Sequence, residues 1–121
     1  MSHRLDKTRI FRIAAVDGKT AAQTTIWTPT ADSILVALVF VPRTVTGLVS
    51  ASTVTVGTAG AGWNQIVTAL VLGSVADVAL PATILAAGVL CLAGTAVKVN
   101  VSVVAVGTAY TFDVYAVAAS V

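Results

Sequence analysis

Few residues in this chain have side chains suited to acid–base, nucleophilic or metal chemistry, and their spacing does not bring them together. The 121 residues include one histidine, His3, and one cysteine, Cys91. A Ser-His-Asp or Cys-His pair would depend on His3, which lies in a polar N-terminal segment. Zinc binding needs about four Cys or His ligands. The carboxylates are all aspartates and are dispersed along the chain: Asp6, Asp17, Asp32, Asp77 and Asp113. We therefore predict no catalytic, metal or cofactor site, and expect that the protein is not an enzyme.

A glycine-rich stretch is the one motif that invites a ligand-binding interpretation. Residues 57–62 read GTAGAG and follow a short apolar strand. A phosphate-binding P-loop continues with GK[ST] and opens a helix. Here Trp63, Asn64 and Gln65 follow instead. Residues 63–67 therefore predict a single helical turn or an irregular corner, with the Trp63 indole closing one end of the sandwich.

The composition is unusually poor in charge. Hydrophobic residues make up 57% of the chain and charged residues 10%, whereas an ordinary soluble domain has roughly 25% charged residues. After Lys19 the charged side chains are Asp32, Arg43, Asp77, Lys98 and Asp113. Such a surface suits a subunit that covers itself with copies or partners, so we predict a homo-oligomer.

Positive charge is concentrated at the N-terminus. The candidate partner-binding cations all fall within residues 1–19: Arg4, Lys7, Arg9, Arg12 and Lys19. We predict a basic arm over residues 1–19, with a first strand over residues 9–16 as an alternative within it. The arm is either a solvated tail or a segment that docks on an acidic neighbour. Without interleaved aromatics or a nucleic-acid-binding motif, nucleic acid is not an expected partner. The segment lacks the apolar core of a signal peptide, so we expect synthesis in a cytoplasm.

The apolar composition also raises the possibility of a membrane segment. Residues 78–97 form twenty consecutive positions without a charge, which meets the length criterion for a spanning helix. Pro81, Gly88 and Gly94 lie within this window, and most of its apolar residues are Ala and Val. That composition fits strands better than a lipid-facing helix. We therefore predict no association with a membrane.

Strand periodicity is clearest near the C-terminus. Val97, Val99, Val101 and Val103 alternate with Lys98, Asn100 and Ser102, the pattern of a strand with one buried face. The sequence Gly107-Thr108-Ala109 reads as a turn, and residues 110–117 alternate again. The two runs together predict a β-hairpin over residues 97–117.

Short apolar runs at even spacing precede this segment and indicate further strands. They cover residues 9–16, 22–27, 33–41, 44–50, 53–56, 69–72, 75–80 and 88–92. This rhythm is typical of a β-sandwich, and we assign residues 20–121 to a single sandwich domain. Residues 33–41 are apolar on both faces, and Pro42-Arg43 should end this strand. One face should meet the core and the other a neighbouring subunit, with Leu35, Val39 and Val41 as the oligomer contacts.

Three segments resemble small virion structural proteins of tailed bacteriophages, the head decoration or cement-like proteins. They are TVTVGTAGAGWNQIV at residues 53–67, LAGTAVKVNV at residues 92–101 and TAYTFDVY at residues 108–115. The resemblance implies an all-β, jelly-roll-like sandwich that is often trimeric. We therefore expect a homotrimeric capsid decoration protein that bridges subunits of the major capsid protein on the outer head surface. A fibre or tail component that binds a host receptor and a small capsid shell protein are the alternatives.

Overall fold

Every regular element of the described protein is a β-strand. The computed structural model describes residues 8–60, 62–84 and 88–120, and these ranges contain no helix. The nine strands are β1 (Thr8–Asp17), β2 (Gln23–Trp27), β3 (Ser33–Thr46), β4 (Thr53–Gly57), β5 (Val67–Val71), β6 (Leu80–Pro81), β7 (Val89–Cys91), β8 (Val97–Val103) and β9 (Ala109–Ser120). The predicted all-β class is confirmed.

The strands form two antiparallel sheets. Sheet I has the order β1-β9-β3, with β6 and β7 both pairing with the free edge of β3, and sheet II has the order β2-β8-β4-β5. Pro81 lies opposite Val39, and Leu90 lies opposite Ile34. Strands β6 and β7 therefore act as one interrupted edge strand. Counted in this way, the chain forms two four-stranded sheets with the strand order of a jelly roll, so the predicted single sandwich is confirmed.

The predicted C-terminal hairpin is wrong, because its two strands lie in different sheets. Strand β8 pairs with β2 and β4, whereas β9 pairs with β1 and β3. The segment between them crosses the sandwich, where Ala105 N donates to Gly18 O at 2.8 Å and Thr108 N donates to Thr46 O at 3.0 Å. An alternating pattern specifies which face of a strand is buried but not which strand is its neighbour.

The N-terminal strand is a full member of sheet I. Its pairing with β9 runs from Thr8 opposite Ala119 to Asp17 opposite Thr111. The Phe11 ring stacks on Trp27 of sheet II, with ring centroids 5.0 Å apart. The alternative of a first strand within the predicted arm thus describes residues 8–17, while residues 1–7 lie outside the described part of the chain.

The predicted break at Pro42-Arg43 is also wrong, because β3 continues to Thr46. Pro42 lies opposite Phe112 of β9, next to a register shift between Pro42 and Thr44. Its carbonyl accepts a hydrogen bond from Asp77 N, which is not part of β9. In an antiparallel strand the N and C=O of one residue point to the same side, so the missing N–H of Pro42 faces away from β9 and costs no bond to it. Of the predicted strand over residues 75–80, only Leu80 lies in a strand.

The core lies between the sheets and draws side chains from both. Its largest fully buried apolar members include Tyr110, Phe40, Phe112, Leu35, Leu38 and Ile66. The inner face of β8 contributes Val97, Val99 and Val101, as the alternation predicts. Among the described residues, no buried side-chain polar atom lacks a hydrogen-bond partner.

The glycine-rich stretch has a packing role at Gly57, where a loop folds back against the end of β4. A Cβ on Gly57 would lie 2.6 Å from the carbonyl carbon of Trp63 and 2.8 Å from Asn64 N. Because both contacts are with backbone, Gly57→Ala should lower the free energy of unfolding by about 1–3 kcal/mol. Urea denaturation followed by tryptophan fluorescence measures this effect. Gly60→Ala is the matched control, because its Cβ would come no closer than 3.8 Å to another group. Equal midpoints for the two variants would contradict the assignment.

Candidate interaction surfaces

The described residues offer several surfaces that could contact other molecules. No group of three or more His, Cys, Asp or Glu side chains in the described ranges is placed to hold a metal ion. Cys91 is 1% exposed, and burial raises the pKa of its thiol. The same ranges include no helix with the length and hydropathy needed to cross a membrane. The remaining candidates for function are the outer faces and loop ends of the sandwich.

The predicted arm cations divide into two groups. Arg12 and Lys19 are engaged inside the subunit, since Arg12 Nη2 lies 2.9 Å from Asp113 Oδ2 and Lys19 Nζ donates to the carbonyl oxygens of Gly107 and Thr108. Arg9 lies on β1 with its side chain exposed. Arg4 and Lys7 fall outside the described residues. Arg9 is therefore the described arm cation most accessible to a partner.

A buried carboxylate organises the charges of sheet I. The Asp113 side chain is 3% exposed, and it pairs with Arg12 at 2.9 Å and with Arg43 Nε at 3.9 Å. Its second oxygen accepts a hydrogen bond from Ala15 N at 2.9 Å. Ala15 has a φ of 55° and lies in the register shift between Ile13 and Val16 of β1. Asp113 thus stabilises both a left-handed backbone position and two guanidinium groups.

The pKa of Asp113 reflects two opposed effects. Burial by itself raises the pKa, because the charged form loses hydration. The hydrogen bonds from Ala15 N and Arg12, together with the positive charges of Arg12 and Arg43, outweigh burial and bring the pKa below its ordinary value. The carboxylate is therefore ionised throughout the neutral range. The sequence alone did not indicate that this carboxylate is buried, because its partners Arg12 and Arg43 are distant in the chain.

The three predicted oligomer contacts lie on different sides of sheet I. Leu35 is 0% exposed between the sheets, so it is not available to a second subunit. Val39 and Val41 are half-buried on the outer face, opposite Tyr115 and Asp113 of β9. The reason is a register shift between Leu35 and Ala37, which inverts the alternation of the strand. Odd-numbered residues before and after the shift therefore point to opposite faces.

The outer face of sheet I changes character along its strands. At one end of sheet I the strands β1, β9, β3 and β7 lie side by side. There Ile34 lies between Ala119 and Leu90, and Val117 lies between Ile10 and Ala37. We call this region the apolar half, and its exposed side chains are Ile10 (69%), Leu90 (57%), Val36 (53%) and Ile34 (36%). The opposite end, the polar half, carries Arg12, Tyr115, Asp113, Thr111 and Asp17.

The outer face of sheet II is polar. Gln23 Nε2 donates to Asn100 Oδ1 at 2.9 Å, and Asn100 Nδ2 donates to Thr55 Oγ1 at 3.3 Å. These bonds form a row across β2, β8 and β4. Lys98 Nζ lies 4.9 Å from the centroid of the Trp63 ring. The two outer faces of the sandwich thus differ strongly in polarity.

The predicted corner at Trp63 folds onto sheet II. The Trp63 side chain is half-buried, and Gln65 Oε1 accepts hydrogen bonds from Thr58 N at 3.0 Å and Ala59 N at 3.3 Å. The Gln65 side chain therefore stabilises the conformation of this loop.

A second apolar region, the valine end, lies where β3 joins β4 and β8 joins β9. Val49 N donates to Val106 O at 2.7 Å, and Val71 and Val103 both lie opposite Thr53. Its members are exposed: Val49 (79%), Val71 (66%), Val103 (56%), Val106 (52%) and Val104 (37%). Sequence reasoning assigned three of these residues to buried or alternating strands and missed the cluster, which forms only when two loops meet.

The strand order defines a jelly-roll sandwich, and one half of the outer face of its sheet I is apolar. No protein-family model matches this sequence, and no curated protein matches it. Among solved structures, a chain from the cyanophage Pam1 capsid asymmetric unit is similar, with 18% sequence identity and a TM-score of 0.59. The match covers 95% of this chain and 84% of that one. At this level of identity the likeness is one of fold.

Proposed function

We propose that this protein is a structural component of a phage virion, specifically a homotrimeric decoration protein on the outer surface of the head. The observation that carries the proposal is the fold match over 95% of this chain to a chain of a phage capsid asymmetric unit. Because the match also covers 84% of that chain, it concerns a whole jelly roll rather than a shared fragment. The host cytoplasm is the proposed place of synthesis.

The surface chemistry supports a structural role over an enzymatic one. No group of three or more His, Cys, Asp or Glu side chains in the described ranges is placed to hold a metal ion, and the one cysteine is buried. Exposed apolar side chains concentrate instead in the apolar half and the valine end. Large exposed apolar regions on a small domain typically mark protein–protein contacts. The proposed partners are copies of this chain and the major capsid protein.

In this proposal, attachment to the capsid uses cations near the N-terminus. Arg12 and Lys19 are engaged internally, so the proposed docking cations are the exposed Arg9 together with Arg4 and Lys7, which precede the described residues. Each exposed ion pair contributes only about 0.2–1 kcal/mol. A trimer repeats these contacts, and simultaneous engagement makes weak contacts collectively strong.

Binding to heads that lack this protein tests the proposal. Purified protein is mixed with such heads and separated by sedimentation, and the bound fraction is measured. We expect saturable binding by the wild type and about tenfold weaker binding by the combined variant Arg4→Ala, Lys7→Ala and Arg9→Ala. Lys98→Ala is the matched control, because it removes one positive charge on the polar face of sheet II.

Other outcomes would replace the proposal. A wild type that does not bind heads, and adsorbs to host cells instead, would favour the fibre or tail alternative. Heads that do not form a closed shell without this protein would favour the small shell protein. Equal loss of binding in the triple variant and in Lys98→Ala would overturn the assignment of the docking cations.

A further inference from the structure

We propose that copies of this chain associate through the outer face of sheet I, apolar half against apolar half, around a symmetry axis that runs along the strands. The choice of a second copy as the occupant rests on the proposed function, in which the subunit is a homo-oligomer. The inference adds the surface and the direction of the axis, which the fold comparison does not specify.

The contrast between the two outer faces selects sheet I. Sheet II covers its outer side with hydrogen-bonded polar side chains, as in the row from Gln23 through Asn100 to Thr55. Sheet I exposes aliphatic side chains, including Ile10 at 69% and Leu90 at 57%. Val36 and Ile34 adjoin them on β3. Contact with another apolar surface removes these side chains from water.

Charge compensation on sheet I favours a copy of the chain over a strongly charged partner. Arg12 and Arg43 are balanced by Asp113 and Asp77, with separations of 2.9 Å for Arg12–Asp113 and 3.2 Å for Arg43–Asp77. These four groups therefore bring no net charge to the face. Two copies can bring these four groups together without opposing a net like charge.

The unequal halves of the face select the axis. A two-fold axis across the strands would place the apolar half of one copy on the polar half of the other, so Ile34 and Leu90 would desolvate Arg12 and Asp17. An axis along the strands keeps like halves together. The apolar halves then form the dry centre of the contact and the compensated charges its rim. A three-fold axis in the same direction also keeps the apolar halves at one level, and each copy then contacts its two neighbours through different parts of the face, as the proposed trimer requires.

The size of the face predicts weak association. The strands of sheet I lie four abreast over the span of β3 from Ser33 to Phe40. A span of about eight residues at about 3.4 Å per residue, with strands about 4.8 Å apart, gives about 500 Å² per subunit. Two such faces bury about 1,000 Å², which is near the lower limit for a specific interface. Association of the isolated protein should therefore depend on concentration, and attachment to a particle would reinforce it.

Cysteine cross-linking and sedimentation test the inference. Val36→Cys places a thiol in the apolar half, and Thr25→Cys places one at an exposed position of β2, opposite Lys98 on sheet II. Native Cys91 is 1% exposed, so the wild type serves as the background. On oxidation we expect disulfide-linked pairs from Val36→Cys and not from Thr25→Cys. In sedimentation equilibrium, Ile34→Asp should weaken self-association by at least about tenfold, because a charge would enter the apolar contact, while Thr25→Asp should not.

A mixed experiment tests the axis itself. Val36→Cys is combined with a larger tagged Thr44→Cys chain, whose thiol lies at the other end of β3. The proposed axis yields only cross-links between chains that carry the same substitution, whereas a cross-link between the two different chains would overturn it. A wild type that stays monomeric at every concentration, or equal cross-linking at Val36 and Thr25, would overturn the surface. Because head binding is measured separately, either result would leave the proposed attachment to heads standing.

Discussion

A chain that begins at Gly18 is expected not to fold, whereas a chain that begins at Thr8 should fold as the full-length protein does. Removal of β1 takes away the strand that pairs with β9 from Ala119 to Thr111. It also removes Val16 from the core and Phe11 and Ile13 from its margin. Truncating large side chains in a core costs roughly 2–5 kcal/mol each, and a typical domain is stable by about 5–15 kcal/mol in total. The combined loss is therefore expected to exceed the stability of the domain.

Thermal unfolding monitored by circular dichroism compares the two truncations. The chain from Thr8 keeps every pairing of the described sheet, so it should unfold cooperatively near the full-length midpoint. The chain from Gly18 should show no cooperative transition. Phe11→Ala separates side-chain packing from strand loss, with an expected cost of about 3 kcal/mol because the stack on Trp27 disappears. A cooperative transition in the chain from Gly18 would show that β1 is an appended arm after all.

Asp113→Ala should be the most destabilising substitution of a charged residue in the described protein, at about 3 kcal/mol. The change leaves Ala15 N without its acceptor and leaves Arg12 and Arg43 without their shared carboxylate. Removing one partner of a buried ion pair typically costs about 3–5 kcal/mol, and the half-exposure of both arginines places this case at the lower end. Asp77→Ala is the matched control, because Asp77 pairs with Arg43 while 69% exposed. Its expected cost is below about 1 kcal/mol.

The same carboxylate makes stability depend on pH. The pKa of Asp113 is lower in the folded protein than its ordinary value, so the unfolded chain takes up a proton more readily as the pH falls. The contribution of Asp113 is fully present above the unfolded pKa of about 3.9 and is lost as the pH falls through the folded pKa. In urea titrations, Asp113→Asn should therefore lose less stability than the wild type between neutral and strongly acidic pH. Parallel curves for the two proteins would contradict the role of the ionised carboxylate.

Local features of the fold were accessible from the sequence. The alternation of Val97, Val99 and Val101 with polar residues identified the buried face of β8, because side chains on a strand point alternately to its two sides. The scarcity of charge predicted that apolar surface would remain exposed. The segment of residues 9–16 was apolar enough to suggest a strand, although its basic residues favoured an arm. None of these sequence properties indicated that β1 would be the neighbour of β9.

The candidate interaction surfaces depended more strongly on tertiary structure. The structure places Val39 and Val41 on the outer face of sheet I. The Leu35 side chain points into the core instead, because a register shift separates it from the other two. The valine end required two loops to meet through the hydrogen bond between Val49 and Val106. The apolar half required β1, β9, β3 and β7 to lie side by side. Such neighbours are separated by up to about a hundred positions in the chain, beyond the range of any local pattern.

The sequence by itself determined that this protein is an all-β domain, that few of its residues are suited to chemistry, and that much of its surface is apolar. These properties follow from composition and from the two-residue period of a strand, which are local. Only the tertiary structure decided that β8 and β9 belong to different sheets, that Asp113 joins Arg12 and Arg43, and that one end of the outer face of sheet I is apolar. Strand partnership arises from long-range pairing and packing, because identical alternating strands can exchange neighbours without changing their own pattern.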